Sequence, residues 1–465
     1  MNSKEFLEFY ENELVKKEKE IFTLKGHEYC YSPDTEILTE DGWKNIKEYV
    51  LNKDKTKVLA LNPQTFEMEY VSPIAWLEFS FNGEMYHFYN KRSIDLLVTP
   101  YHRVFCRREK RKDSSFNFFT ACSILYKKSP LFFKCGGGKF KGEKKDYFIL
   151  EGVDSKTHKR LRVNKRIPIK LWIKFMALYL AEGWVLQNHD EHYTIGIGQA
   201  SYGKAFKEIK RVLKELSEII HFNFNFYKRQ FIFGNKQLYN YLKQFGNSYE
   251  KYVPKELKNL EPNLLKTFIH YYALGDGIIN DNQYYQISTV SEKIANDLQE
   301  IAMKIGKYAT IKYYEKYRDF KIYIGLSNKY SYDRMAFLEK IPYKGKVYDI
   351  TLEKFHLLYV RRNYKACWSS NSGEFDRCSN FKRVAEELGL HPIEVLWVYA
   401  LKHKDSISTF IKEKKVTSNE DIIGRIHDER NYLALLAALI TECRNLPEGH
   451  KWKLENFKSN EKEVK

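Results

Sequence analysis

The order in which the hydrophobic periodicity changes along the chain constrains its fold more than any other feature. Helical spacing over residues 3–25 gives way to short strand-like runs over 31–105, and then to helices alternating with strands over 171–341. Strand-like runs then resume, and from Ser379 the pattern is helical again. This nested order predicts a β domain that is split by an α/β insertion and that itself splits a helical domain. Tandem domains do not explain it.

A cysteine and an asparagine–serine pair bracket the inner part of the chain. Cys30 opens the run CYSPDTEILTEDGWKNI, and Asn371-Ser372 closes the run VYDITLEKFHLLYVRRNYKACWSSNS. Between them, LLVTPYHRVF carries Thr99 and His102 as a T-x-x-H pair in a strand-like stretch. A thiol nucleophile, an imidazole beside a turn and an Asn followed by a hydroxyl residue are the groups needed to move a peptide bond without an external energy source.

These three blocks resemble the first, second and last motif blocks of inteins, the self-splicing protein insertions, and the resemblance covers residues 30–371. It implies that Cys30 attacks the carbonyl of Tyr29 and converts the peptide bond into a thioester. In that step His102 would donate a proton to the leaving nitrogen, and Thr99 would help to hold the scissile amide. No cofactor is implied for splicing.

The resemblance also implies the later steps. Ser372 would take over the acyl group through its hydroxyl, and Asn371 would cyclise and cut the inner segment free. Asp349 and His356 match the acidic and imidazole positions of the late motif block, where they would assist the middle and last steps. Many inteins have His just before the terminal Asn, and this chain has Ser370 there. We therefore expect C-terminal cleavage to depend on His356.

The excess positive charge lies in the inner segment. The whole chain has a formal net charge of +18 at pH 7. Residues 1–29 hold 5 basic and 7 acidic residues and residues 372–465 hold 16 of each, so the flanks sum to −2 and segment 30–371 carries +20. A basic surface confined to one part of a chain is typical of a nucleic-acid partner. The alternative is lysine used only for solubility.

Two internal units repeat with a period of roughly 95 residues, each a helix ending in acid–Gly, then strands, then a second helix. Their first helices carry ALYLAEGWV (177–185) and YYALGDGII (271–279), which resemble the two motifs of LAGLIDADG homing endonucleases. The resemblance implies that Glu182 and Asp276 lie side by side at the bases of two packed helices. Both would act as catalytic residues and as metal ligands for Mg²⁺ in two-metal phosphodiester cleavage. Lys251, in KYVP, matches a lysine block between the motifs and would stabilise the scissile phosphate.

Small residues of the two motifs predict a close helix crossing, whereas one large residue departs from the family pattern. The family often has Gly where this chain has Tyr271, which puts the tightness of the crossing in question. The strands after each motif would form a saddle in the major groove of DNA. The small residues are Ala177, Ala181, Gly183, Gly275 and Gly277.

The predicted fold is multi-domain. An all-β Hint-type horseshoe, formed by residues 30–165 with a basic linker and by residues 336–371, is interrupted by an α+β LAGLIDADG endonuclease at 166–335. Residues 1–29 and 372–465 would be the two halves of an all-α host protein. The stretch 107–165 is rich in lysine and is predicted to be irregular and exposed.

The joined flanks resemble small helical phage or bacterial proteins associated with nucleotide modification. The resemblance implies that the joined protein processes nucleotides. Arg425, Asp428 and Tyr432 share one helix face by their spacing. Such groups could converge on a phosphate or a metal, or could simply form surface salt bridges.

Composition sets the expected location. The seven cysteines show no C-x-x-C pairing, which argues against a zinc site or a disulfide framework. No uninterrupted apolar run approaches the ~20 residues of a membrane span. We therefore expect a soluble protein of the cytoplasm of a bacterial or phage-infected cell, with no membrane partner.

The expected partner of the excised segment is double-stranded DNA at the intein-free host gene, around the Tyr29–Ser372 junction, bound by a pseudo-symmetric monomer. Two alternatives stay open. One is a splicing-deficient DNA-binding endonuclease. The other is a non-catalytic basic DNA-binding module in which Glu182 and Asp276 are only structural.

Overall fold

The computed structural model describes eleven stretches of the chain, and the predicted helix over 3–25 lies outside them. The chain divides into two units, residues 1–373 and 374–465. The described stretches are residues 29–91, 93–107, 115–124, 131–154, 159–187, 193–280, 284–325, 333–371, 378–414, 422–446 and 448–454.

The first unit begins with short strands and two short helices. The prediction of strands over 31–105 is confirmed, whereas the prediction of an irregular stretch over 107–165 is wrong for its described residues, because four strands lie there. The elements are β1 (Glu36–Thr39), β2 (Gly42–Asn45), α1 (Ile46–Leu51), β3 (Val58–Leu61), β4 (Glu67–Val71), β5 (Pro73–Tyr89), β6 (Asp95–Val98), β7 (Arg103–Arg107), β8 (Asn117–Thr120), α2 (Ala121–Ile124), β9 (Leu131–Lys134), β10 (Lys139–Phe140) and β11 (Tyr147–Leu150).

Helices dominate the middle of the chain. A 3₁₀ turn, Lys159–Arg162, precedes them. The elements are β12 (Lys165–Pro168), α3 (Ile169–Glu182), β13 (Gly183–Gln187), β14 (Tyr193–Gly198), α4 (Phe206–Ile220), β15 (Phe224–Tyr227), β16 (Gln230–Phe233), α5 (Lys236–Leu242), α6 (Lys255–Lys258), α7 (Pro262–Asp276), β17 (Gly277–Ile279), β18 (Tyr285–Thr289), α8 (Glu292–Lys304), β19 (Tyr308–Tyr314) and β20 (Asp319–Gly325).

Three strands return the chain to the first part: β21 (Asp333–Leu352), β22 (Leu357–Arg362) and β23 (Lys365–Ser370). We call residues 29–140 with 333–371 the β domain. Its 13-stranded sheet has the order β10-β4-β3-β1-β22-β23-β7-β9-β21-β5-β6, with β2 paired to β1 and β8 to β7. The late strands β22 and β23 thus lie between the early strands β1 and β7, which brings the two ends of segment 30–371 together.

The repeat domain, residues 147–325, contains two units of the same topology. Its sheets have the orders β13-β14-β16-β15 and β17-β18-β20-β19, and every pairing in them is antiparallel. In β20, Phe320, Ile322 and Ile324 are buried and alternate with polar residues, as expected for a sheet with one face packed on helices. The predicted internal repeat is confirmed.

The two domains of the first unit have different hydrophobic cores that meet where the domains join. One core runs from Leu150 to Ile324 and fills the repeat domain. Three further clusters fill the β domain: one contains Cys30, and the other two include Met303 and Tyr308 from the repeat domain. Arg361 of β22 also joins the domains, because it donates to both carboxylate oxygens of Glu36 at 2.7 Å and to Asn296 of α8 at 2.7 Å.

The described regular elements of the second unit are all helices: α9 (Ser379–Leu388), α10 (Pro392–Glu413) and α11 (Ile422–Asn445). Their core contains Phe381, Leu396 and Leu439. On α10 and α11, the ring of Tyr432 stacks on His403, whose Nδ1 lies 3.8 Å from Asp428. No helix among the described residues is long and apolar enough to cross a membrane.

Candidate functional site

Cys30 lies in the interior of the β domain. The next residue, Tyr31, donates its backbone N–H to Tyr348 of β21 at 2.8 Å and accepts the N–H of Tyr348 at 3.0 Å. It also forms a bridge with Val98 at the end of β6. Cys30 is fully buried between these strands. Burial and the nearby Asp349 carboxylate raise the pKa of Cys30 well above 9, so the thiol is protonated at neutral pH.

Thr99 and His102 both contact the peptide bond between Tyr29 and Cys30. The N–H of Cys30 donates to Oγ1 of Thr99 at 2.9 Å. Nδ1 of His102 lies 2.7 Å from the carbonyl oxygen of Tyr29. The resemblance implied a contact between His102 and the leaving nitrogen, whereas the observed contact is with the oxygen. An N–H on this oxygen polarises the carbonyl and stabilises negative charge that develops there.

His102 is neutral at physiological pH. Burial and the Arg103 guanidinium together lower its pKa to about 3, against the opposing effect of the hydrogen bond with Tyr29. The ring packs edge-on against Tyr31, with centroids 4.4 Å apart. The imidazole is therefore a fixed hydrogen-bond donor here rather than a cation.

The C-terminal end of the segment reaches the same interior. The hydroxyl of Tyr31 donates to the carbonyl oxygen of Ser370, and the N–H of Asn371 donates to the carbonyl oxygen of His356 at 3.3 Å. Asn371 is fully buried, and neither polar atom of its side chain has a hydrogen-bond partner among the described residues. The side chain of Asn371 nevertheless lies close enough to the ring of His356 to affect it. Ser372 lies outside the described residues.

His356 sits in a strained turn just before β22. Phe355 and His356 both have positive φ, at 71° and 39°, which is unfavourable for residues other than glycine. Burial and the Arg103 charge lower the pKa of His356, whereas the side chain of Asn371 nearby raises it. Its Nδ1 has no hydrogen-bond partner in the described part of the chain.

Six predicted splicing residues therefore come together: Cys30, Thr99, His102, Asp349, His356 and Asn371. Sequence reasoning missed three of their neighbours, namely Tyr31, Arg103 and Ser369. The guanidinium of Arg103 lies 5.7 Å from the ring centroid of Tyr29. The backbone carbonyl oxygen of Arg103 accepts a hydrogen bond from the hydroxyl of Ser370 at 2.5 Å. Arg103 follows directly after the T-x-x-H pair, which is the only sequence signal that could have found it.

Glu182 and Asp276 lie at the ends of two packed helices, α3 and α7. At Gly275 the crossing leaves no room for a side chain, because a Cβ would lie 2.8 Å from Cβ of Ala181 and 3.2 Å from Cγ of Glu182. Gly183 and Gly277 instead face their own helices: a Cβ would meet Tyr179 at Gly183 and Ala273 at Gly277. The helix-crossing role thus falls to Gly275 rather than to all three glycines.

Tyr271 does not widen the crossing. Its hydroxyl donates to Glu208 at 2.9 Å and accepts from Arg211 at 3.0 Å, and both of these residues belong to α4. The departure from the family pattern therefore serves a contact with a neighbouring helix.

The two carboxylates repel each other and are both partly shielded from water. Burial and the Glu182 charge raise the pKa of Asp276 from 3.8 to about 7, against the opposing effect of Lys251. Burial also raises the pKa of Glu182, again opposed by Lys251. Such a pair is stabilised by a cation between its members.

Lys251 supplies a positive charge beneath this pair, but its ammonium is already engaged. It donates to the carbonyl oxygens of Tyr179, Leu180 and Gly183 at 3.0, 3.1 and 2.7 Å. An ammonium has three N–H donors, so none is left for a phosphate. Lys251 therefore caps the C-terminus of α3, and burial lowers its pKa to about 8.

The residues at the helix ends suit a divalent cation that is completed by other ligands. A cavity of about 260 Å³ beside them is lined by Asp276, Lys251, Ser288, Thr289 and Asp319, among others. Within the described residues, no group of three or more His, Cys, Asp or Glu side chains is arranged to hold a metal. Backbone carbonyls, water and substrate phosphate oxygens would therefore supply the remaining ligands, as is common for Mg²⁺.

One face of the sheet β17-β18-β20-β19 is basic and rich in tyrosine. Lys312 and Lys321 are directly opposite each other across β19 and β20, on the face that alternates with the buried Phe320 and Ile322. Their ammonium groups lie 5.6 Å from the ring of Tyr323 and 5.1 Å from the ring of Tyr314. Like charges directly opposite each other destabilise a sheet, so this pair points to an anionic partner.

No protein-family model matches the chain. The chain is 26% identical over 300 residues to the ATP-dependent Clp protease proteolytic subunit of Chlamydomonas moewusii, covering 61% of this chain and 28% of that protein. It is 24% identical over 415 residues to the RNA polymerase subunit beta C-terminal section of Stigeoclonium helveticum, covering 74% and 36%. It is 23% identical over 384 residues to the ribonucleoside-diphosphate reductase subunit beta of Aquifex aeolicus, covering 76% and 51%. The chain thus spans between about a quarter and half of the length of these relatives.

Solved structures resemble parts of the chain at low TM-scores. A variant of the homing endonuclease I-DmoI is 12% identical and covers 34% of this chain and 90% of that chain, with a TM-score of 0.28. The homing endonuclease I-WcaI bound to its DNA recognition sequence is 13% identical, covering 37% and 84%, with a TM-score of 0.24. The AceL NrdHF class 3 split intein is 22% identical, covering 30% and 71%, with a TM-score of 0.17.

Proposed function

We propose that residues 30–371 excise themselves from the chain and join Tyr29 to Ser372, and that the excised segment is a metal-dependent DNA endonuclease. One observation carries the splicing proposal. The peptide bond before Cys30 is held by Thr99 on its nitrogen and by His102 on its carbonyl oxygen.

The first step is an acyl shift. Sγ of Cys30 attacks the carbonyl carbon of Tyr29, Asp349 relays the thiol proton to the departing nitrogen of Cys30, and the carbon–nitrogen bond breaks to leave a thioester and a free amine. His102 stabilises the negative charge on the carbonyl oxygen through its N–H. Because Cys30 is a protonated thiol in a dry interior, the adjacent carboxylate matters more than it would in water.

The later steps use the groups at the other end. The hydroxyl of Ser372 attacks the thioester and releases the thiol of Cys30. The side-chain nitrogen of Asn371 then attacks its own carbonyl carbon, which breaks the peptide bond to Ser372. His356, whose carbonyl holds the backbone of Asn371 and whose ring lies nearby, assists this cleavage. The ester between the flanks finally rearranges to an amide.

The curated relatives support an insertion. A protease subunit, a polymerase subunit and a reductase subunit have no activity in common, yet each matches most of this chain over only a fraction of its own length. A segment shared by otherwise unrelated proteins is expected of a mobile element, and residues 30–371 account for about three quarters of this chain.

The test of splicing is the mass of the protein expressed in bacteria. We expect the 55.5 kDa chain to yield pieces of about 40 and about 15 kDa, the smaller being residues 1–29 joined to 372–465. Cys30→Ala abolishes the ligated product. Asn371→Ala blocks excision but leaves cleavage before Cys30 by added thiol. A Cys30→Ala protein that still produced the ligated 15 kDa species would disprove this mechanism.

A second activity, DNA cleavage, is favoured by the convergence of Glu182 and Asp276 at a helix crossing that Gly275 makes possible. These carboxylates would hold Mg²⁺, which activates water and stabilises the leaving oxygen in phosphodiester hydrolysis. Lys251 holds the end of α3 and offsets part of the negative charge. It is a positioning residue rather than a phosphate ligand.

The sheet face with Lys312 and Lys321 would contact the phosphates of DNA, since a polyanion removes the repulsion between the two lysines. The target would be the uninterrupted host gene around the junction. The test is a plasmid that carries this gene, incubated with the excised segment with and without Mg²⁺. We expect a double-strand cut near the junction only when Mg²⁺ is present. No cut under either condition would leave a splicing element with a degenerate insertion.

A further inference from the structure

We propose that Ser369 is a positioning residue for the acyl shift, because its hydroxyl binds Nε2 of His102 and holds the imidazole in the orientation in which Nδ1 donates to the carbonyl of Tyr29. The inference rests on the splicing function proposed above. It adds a residue that neither the motif blocks nor the comparisons assign.

The tautomer follows from the two contacts of the ring. Nδ1 of His102 lies 2.7 Å from the carbonyl oxygen of Tyr29, and Nε2 lies 2.9 Å from Oγ of Ser369. A carbonyl oxygen can only accept, so Nδ1 carries the hydrogen. A neutral imidazole has only one N–H, so Nε2 accepts and the hydroxyl of Ser369 donates.

The burial of His102 and Ser369 makes the hydrogen bond between them hard to replace. His102 and Ser369 are both fully buried, so water does not replace the hydroxyl if it is removed. The ring stays neutral because burial holds the pKa of His102 at about 3. Without Ser369, Nε2 has lost the hydroxyl that holds it in a dry interior, and the ring is free to turn so that Nδ1 leaves the carbonyl oxygen of Tyr29.

Ser369 also connects the two junctions. It lies on β23, opposite Val104 of β7, two residues before Asn371. Its hydroxyl therefore reaches the N-terminal junction from the strand that ends at the C-terminal one. The hydrogen bond from Tyr31 to the carbonyl of Ser370 makes a second connection of the same kind. A displacement of β23 would release the imidazole, so that acyl transfer begins only when both junctions are in place.

The kinetic test uses the full chain with Asn371→Ala, in which thiol-induced cleavage before Cys30 reports the acyl shift alone. We expect Ser369→Ala to slow this cleavage by about 10- to 100-fold. Ser369→Thr keeps the hydroxyl and should restore the rate to within about threefold. The matched control is Thr39→Ala, which removes an equally buried hydroxyl from the turn between β1 and β2 and should leave the rate unchanged.

The spectroscopic test measures the tautomer itself. The chain with Cys30→Ala and Asn371→Ala is labelled with ¹⁵N-histidine, and the His102 signals are assigned by their loss in His102→Asn. We expect a protonated Nδ1 and an unprotonated Nε2. Ser369→Ala should move the Nε2 resonance to that of an imidazole nitrogen without a hydrogen bond and weaken the hydrogen bond from Nδ1, whereas Ser369→Thr should change neither. Unchanged nitrogen shifts in a folded Ser369→Ala protein would overturn the proposal.

The two proposals fail in different ways. If the Asn371→Ala protein shows no thiol-induced cleavage, the splicing function is wrong, whatever the tautomer. If it cleaves, and Ser369→Ala cleaves equally fast, splicing stands and the role of Ser369 is wrong.

Discussion

The two candidate sites of the first unit differ in the charges that they bring together. The site around Cys30 is buried: its imidazole is neutral, with a pKa of about 3, and the charges near it, on Asp349 and Arg103, are opposite in sign. The site around Asp276 collects two carboxylates, and their repulsion together with burial raises the pKa of Asp276 to about 7. Burying neutral, hydrogen-bonded groups costs little, whereas bringing like charges together costs much unless a cation intervenes.

The difference explains why one site is complete and the other is not. In the proposed mechanism every group needed for the acyl shift lies on the chain itself, so splicing would need nothing beyond the folded β domain. DNA cleavage would additionally need a metal ion between the two carboxylates. The two sites share no side chain and Cys30 and Asp276 lie in different parts of the first unit, so a conservative change at one site should leave the other intact even though Met303, Tyr308 and Arg361 join the domains.

The largest expected effect tests this independence. Asp276→Asn or Glu182→Gln should reduce DNA cleavage by orders of magnitude, because the metal loses a ligand. Splicing of the same chain should continue at the normal rate, and DNA affinity should be equal or higher. The two measurements are plasmid cleavage and the fraction of ligated product. Equal cutting by Asp276→Asn would remove the carboxylates from the mechanism.

A smaller effect is expected at His356. His356→Ala should slow the cyclisation of Asn371 by about 10- to 100-fold, because Ser370 is tied to the carbonyl of Arg103 and is no acid near neutral pH. Ser370→His should speed cleavage or leave it unchanged. Release of residues 372–465 over time, followed by mass spectrometry, measures both variants. A His356→Ala protein with the normal rate would remove this assignment.

The pH dependence should separate the sites further. With Asp276 titrating at about 7, cleavage should fall roughly tenfold per pH unit below 7, because protonation removes the metal ligand. Higher Mg²⁺ should move the midpoint to lower pH, since the metal competes with the proton. Single-turnover cleavage between pH 5.5 and 8.5 at two Mg²⁺ concentrations is the measurement. A midpoint that does not move with Mg²⁺ would mean that Asp276 is not a ligand.

The sequence predicted the internal repeat, which the structure confirms, because a repeat depends on local patterns. Strand alternation marks β20, and helical spacing marks α4, where the buried residues are Ile209, Val212, Leu213, Leu216 and Ile220. The strands over 107–165 were not recognised because they are only two to four residues long among many lysines. Strands that short carry almost no alternation to detect.

The missed site residues depend instead on pairing between distant strands. Ser369 reaches His102 only because β23 lies beside β7, across a sequence separation of 267 residues. Lys251 matched a motif position, but its contacts with the end of α3 arise 68 to 72 residues away. A motif thus locates a residue, and only the fold shows which atoms it touches.

The helix crossing provides a further test of the comparison. Gly275→Ala should destabilise the repeat domain by about 1–3 kcal/mol, because its Cβ would lie 2.8 Å from that of Ala181. Cleavage should fall as Glu182 is displaced, while splicing persists. Gly325→Ala is the matched control, since its Cβ would meet only the carbonyl oxygen of Tyr308, at 3.9 Å. Thermal unfolding with the two activity assays distinguishes them, and equal behaviour of both variants would contradict a tight crossing.

The smallest expected effect concerns the opposed lysines of β19 and β20. Lys321→Gln removes a like-charge pair, so the metal-free protein should melt about 1 °C higher. The same change should weaken DNA binding and lower the slope of log affinity against log salt by about 1, because one phosphate contact is lost. Lys207→Gln on α4, outside this sheet, is the control and should leave both the slope and the melting temperature unchanged.

Binding titrations at several salt concentrations and differential scanning calorimetry measure the pair of effects. A higher melting temperature together with weaker DNA binding would show that Lys312 and Lys321 lower the stability of the sheet but strengthen its binding to DNA. A stability gain without any change in slope would mean that this face does not meet DNA.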